Sequence, residues 1–91
     1  MRRRRIIHRS DDNQAAIVKA LRAIGCSVDV IGDPLDLLVG YRGVNYLIEI
    51  KSSSRAQLRP SQKHFCETWR GQWSRANTIA EALDIVGVRL A

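Results

Sequence analysis

The stretch "LDLLVGYRGVNYLIEIK" carries two carboxylates and a lysine, Asp36, Glu49 and Lys51, among apolar residues. In a β-strand the two-residue spacing of Glu49 and Lys51 puts both on one face, while Ile48 and Ile50 point to the other. If the chain turns between Arg42 and Gly43, Asp36 falls directly opposite Glu49, with Cβ atoms about 5 Å apart. Two carboxylates that close repel unless a cation lies between them. Mg²⁺ takes oxygen ligands of this kind and retains several waters, one of which can serve as a nucleophile. A lysine on the same face polarises that water or stabilises charge on a phosphate. The pattern is therefore suited to metal-assisted hydrolysis of a phosphodiester. The same residues also read as a solvated sheet face, with Asp36 merely starting a strand.

The rest of the chain must position this hairpin. Ser10 can cap a helix whose first turn holds Asp11 and Asp12, with Ile17, Leu21 and Ile24 at helical spacing until Gly25 stops it. The macrodipole alone would account for Asp11 and Asp12. Residues 27–31 alternate and are β-branched, which predicts a strand rather than the second helix of a helix-turn-helix. Gly32-Asp33-Pro34 is a turn, and residues 36–39 and 44–51 are strands joined across Gly40-Tyr41-Arg42-Gly43.

A polar loop follows, and Pro60 opens a helix whose buried side is Phe65, Cys66 and Trp69 and which Gly71 ends. Residues 72–76 pattern as a short strand, and Ile79, Ala80, Leu83, Ile85 and Val86 as a last helix before Gly87. The order predicts an α/β fold, a small mixed sheet flanked by helices.

With 91 residues and 45% hydrophobic content, the chain supports one core, and pressing a second copy against it would be an easy way to gain burial. The formal net charge of +6 favours a polyanion. Across residues 51–75 the cations Lys51, Arg55, Arg59, Lys63, Arg70 and Arg75 face only Glu67, so nucleic acid is the leading partner. A membrane is disfavoured, because no apolar run approaches the ~20 residues of a span and no amphipathic anchor is present.

Cys26 and Cys66 sit beside apolar neighbours and read as free thiols in a reducing compartment, which points to a soluble intracellular protein. His8 and His64 lack zinc-ligand spacing. Trp69 and Trp73 read as core rather than as base-stacking platforms, since Trp69 shares a helical face with Phe65. Residues 1–9, with Arg2 to Arg5, form a basic arm that is either a solvated tail or a phosphate-binding segment. Residues 10–91 form the domain.

"DLLVGYRGVNYLIEIK", preceded by "DDNQAAIVKALRAIG" and followed by "LRPSQ" and "WRGQW", resembles a stand-alone virus-type replication-repair nuclease (VRR-NUC) domain of the PD-(D/E)xK superfamily. The resemblance spans nearly all of the chain beyond residue 9. It implies a restriction-endonuclease-like core and Mg²⁺- or Mn²⁺-dependent cleavage of DNA, often branched. Stand-alone members resemble Holliday-junction resolvases acting as homodimers, and a bacterial or phage source would fit.

By the same resemblance Asp36 and Glu49 are the metal-binding acids, the Ile50 carbonyl is a further ligand and Lys51 is the catalytic lysine. Asp11 is the acid at the start of the first helix, with Gln14 beside it, and Gln62 is the glutamine that opens the later helix. Gln62 also reads as a local helix cap. Arg55, Arg59, Lys63 and Gln14 are the candidate DNA contacts.

The chain departs from the family pattern at Leu35, which separates Pro34 from Asp36 and leaves Asp33 as a rival metal acid. Arg59 stands where the family often has a capping Thr or Ser. Two other readings remain beside the structure-selective nuclease. One is a non-catalytic basic DNA-binding module, and the other a sequence-specific restriction-like nuclease, for which 91 residues leave little room.

Overall fold

The computed structural model describes residues 9–51 and 57–89. Helix α1 (Arg9–Ala23) leads into β1 (Ser27–Val30), β2 (Leu37–Tyr41) and β3 (Val44–Ile50), then α2 (Pro60–Thr68), β4 (Ser74–Ala76) and α3 (Ile79–Ile85). The basic arm Arg2 to Arg5 lies outside the described residues. Because α1 already includes Arg9, Ser10 sits inside its first turn rather than capping it. The helix stops where expected: Gly25 has φ +102°, its N–H donates to the Arg22 carbonyl, and the Cys26 N–H donates to the Leu21 carbonyl. This paired closure needs a left-handed residue, which glycine supplies without a Cβ clash.

The strands form one mixed sheet in the order β1-β2-β3-β4, with β1–β2 and β2–β3 antiparallel and β3–β4 parallel. The β2–β3 turn is tighter than the four-residue break read from the sequence. Only Arg42 and Gly43 lie between the strands, with φ of +52° and +81°. Positive φ at both central residues marks a turn whose twist matches the flanking strands. Leu37 then pairs with Ile48 and Val39 with Tyr46, so the hairpin has the register that puts Asp36 level with Glu49.

Alternation sorts the sheet into two faces. Val28, Leu37, Val39, Ile48 and Ile50 point to one side, where α1 and α3 cover them with Ile17, Leu21, Ala82, Leu83 and Val86. On the opposite face Glu49 lies beneath α2, whose fully buried residue is Gln62. The expected apolar side of α2 is thus corrected: Phe65 and Cys66 are half-buried, and Trp69 is 48% exposed. The helix ends at Thr68, and at Trp69, with ψ +128°, the chain after it turns into extended backbone.

No described helix is long and apolar enough to cross a membrane. Both cysteines are free, Cys26 buried and Cys66 half-buried.

Candidate active site

Asp36 lies one residue before β2, at the end of a loop that the backbone holds tightly. Its carbonyl accepts from the N–H groups of Ile31 (2.9 Å) and Gly32 (3.1 Å). The preceding Leu35, the residue that displaces Pro34 from Asp36, is fully buried and pins the segment from the other side. Asp33 is exposed and remains outside the cluster, so it is Asp36 that reaches β3. Asp36 Oδ2 accepts from the Ile50 N–H at 2.8 Å.

Glu49 is 2% exposed, an unusual place for a carboxylate unless it is paired. Its Oε2 accepts from Gln62 Nε2 at 2.7 Å and pairs with Lys51 Nζ at 3.0 Å. Its other oxygen, Oε1, is buried with no hydrogen-bond donor among the described residues. Burial of Asp36 pushes its carboxyl above the ordinary range, and the neighbouring Glu49 pushes the same way. The Ile50 N–H and the Lys51 ammonium pull against this. The two carboxyls are close enough for one, when protonated, to donate to the other.

Gln62 does two jobs. While Nε2 holds Glu49, Oε1 accepts from the Arg59 N–H at 3.2 Å and closes the first turn of α2 behind Pro60. The helix-cap reading of Gln62 is met, and the same amide reaches Glu49, its acceptor and donor ends facing different partners. Cys66, one turn further along α2, also lies near Glu49. Burial, then the charges of Glu49 and Glu67, push its thiol up, so it stays protonated and weakly nucleophilic.

The remaining site residues divide. The Ile50 side chain is in the core, and its backbone is joined to Asp36. Asp11 belongs to α1, but its side chain lies outside the described residues, as does all of Arg55. Gln14 is half-buried on α1 and makes none of the cluster's hydrogen bonds. Arg59 and Lys63 are exposed on the first turn of α2.

Asn13, which the sequence did not single out, bridges the far elements. Its Nδ2 donates to the Lys51 carbonyl at 3.2 Å and the Asn77 carbonyl at 2.8 Å, tying α1 to the ends of β3 and β4. Among the described residues no three His, Cys, Asp or Glu side chains group as a metal site, so the acidic set here is the pair Asp36 and Glu49.

Compared with solved structures, the chain superposes on one titled "VRR_NUC domain" with a TM-score of 0.73 and 20% sequence identity, over 88% of this chain and 96% of that one. No family model and no curated protein matches the sequence. The likeness shows the fold: a small mixed sheet flanked by helices, arranged as in that VRR_NUC domain.

Proposed function

We propose that this VRR-NUC fold is a divalent-metal-dependent deoxyribonuclease that hydrolyses phosphodiester bonds in branched or structured DNA and works as a homodimer. One observation carries the reading: a buried Glu49 beside a half-buried Asp36, in which Glu49 Oε1 lacks a donor among the described residues and Lys51 stands 3.0 Å from Oε2. A cation between them would remove the repulsion and give the orphaned oxygen a partner. The donor set is all oxygen, which suits Mg²⁺ or Mn²⁺ rather than zinc.

Asp36 and Glu49 would hold the ion, with the Ile50 carbonyl and Asp11 as the further ligands the family pattern implies. When bound, such an ion stabilises negative charge growing on a phosphate and makes an attacking water more acidic. The protein supplies the positioning. The Ile50 N–H fixes the Asp36 carboxylate, and Gln62 fixes that of Glu49. Lys51, paired with Glu49, would lend its positive charge to the charge developing on the phosphate. Arg59, Lys63 and Arg55, with Gln14, are the proposed contacts to the DNA backbone. Residues 10–91 act as the domain and 1–9 as a basic arm. A bacterial or phage-infected cytoplasm would be its setting. Two such sites across a twofold axis would suit paired incisions.

The charge by itself would equally suit a binding module without catalysis, but that reading leaves the buried Glu49 and the Asp36 beside it unexplained. The test is cleavage of labelled synthetic junctions, flaps and duplexes in Mg²⁺ or Mn²⁺. Wild type should cut a branched substrate, and Asp36→Ala and Lys51→Ala should each lose at least a hundredfold in rate. Salt-sensitive binding with no metal-dependent product would favour the binding module instead.

A further inference from the structure

Trp69 is the large aromatic residue that the fold leaves most open, at 48% exposure, yet its ring is held in place. Phe65 stacks on it with ring centroids 5.1 Å apart and planes 24° apart. Gly71 lies against the Nε1 side of the indole: a Cβ there would come within 2.6 Å of Nε1 and 3.0 Å of Cε2. The backbone N–H of Trp69 donates to the Phe65 carbonyl at 2.8 Å, which anchors the residue to the last turn of α2. An exposed indole fixed in this way loses little conformational freedom on binding a flat partner.

Its surroundings say what that partner is. Gln62 and Trp69 are seven residues apart, two helical turns, so they bound one stripe of α2 with Phe65 and Cys66 between them. The stripe starts at the Glu49 carboxylate and ends at the indole. Arg59 and Lys63 are exposed along the same helix and Arg70 follows Trp69 directly, with Glu67 the acid among them. An aromatic face flanked by cations is the combination that binds single-stranded nucleic acid: the base stacks and the phosphates are neutralised.

We infer that Trp69 is a stacking platform for an unpaired nucleobase of the substrate. At ~1.5 Å per residue it stands about 10 Å along α2 from Gln62, or about three base steps at ~3.4 Å each. Resting on the nuclease reading above, this narrows the substrate to one with unpaired bases a few nucleotides from the cut, such as a flap or a single-stranded branch, in preference to a fully paired junction.

The test is fluorescence anisotropy of a labelled blunt duplex and of the same duplex with a thymidine overhang, titrated with the full chain in EDTA so that nothing is cut. Wild type should prefer the overhang substrate about tenfold. Trp69→Ala should abolish the preference, Gly71→Ala should weaken it by displacing the indole, and Trp69→Phe should retain most of it. Should Trp69→Ala fail to fold, Trp69→Phe and Gly71→Ala still decide the matter, together with quenching of wild-type indole emission by the overhang. A preference that is absent in wild type, or unchanged in Gly71→Ala and Trp69→Ala, overturns the inference. Because no cleavage is read, a stacking signal without metal-dependent cutting would sink the nuclease reading and leave this one standing.

Discussion

Asp36 is costly to the fold when ionised, and that cost is measurable. Burial and Glu49 raise its affinity for a proton above that in the unfolded chain. Between its ordinary range and its raised folded value the native state therefore binds more protons than the unfolded state. Stability falls as pH rises through that window and stays lower above it. Asp36→Asn keeps an acceptor for the Ile50 N–H and removes the charge. It should raise the melting temperature at neutral pH without divalent metal, and the gain should shrink as pH drops to the ordinary carboxyl range; thermal melts across pH check this. Gln62→Ala leaves Glu49 Oε2 and the Arg59 N–H each short of a partner. It should cost about 1–3 kcal/mol in denaturant melts and lower cleavage as well. At this scale Asp36, Glu49 and Lys51 were readable because strand parity and one turn position fix which side chains meet. Asn13 was not, since the carbonyls it holds are 38 and 64 residues away in sequence.

The hairpin is the element that turns sequence spacing into a site. A two-residue turn sets the register, and a shift by one residue would send Glu49 and Lys51 to the core face and Ile48 and Ile50 to the site. The turn depends on Gly43 at φ +81°, with open space around an added Cβ. Gly43→Ala should therefore cost about 1 kcal/mol in a denaturant melt through backbone strain, while metal-dependent cleavage of the folded variant stays near wild type, since the turn is at the far end from Asp36. Helix α2 was less legible. Its start at Pro60 follows from proline's fixed φ, but helical spacing placed Trp69 beside Phe65 in the core. The two rings do stack, but at the surface rather than in the core.

At the scale of the whole molecule, a net charge of +6 on the 91-residue chain favours salt-dependent association with a polyanion. DNA binding without divalent metal should weaken linearly in log–log terms as salt rises, with a slope that reports the number of phosphates contacted. The proposed homodimer should sediment at twice the chain mass at the concentrations used for cleavage, and a monomer there would remove the paired-incision part of the account. The central claim is narrower than either: Asp36 and Glu49 together hold a divalent cation. Anomalous diffraction from a crystal of the wild-type chain soaked in Mn²⁺ tests it most directly. A peak within coordinating distance of both carboxylates is the predicted result; Mn²⁺ bound elsewhere, with this pair bridged by a proton or by Lys51 alone, would contradict it.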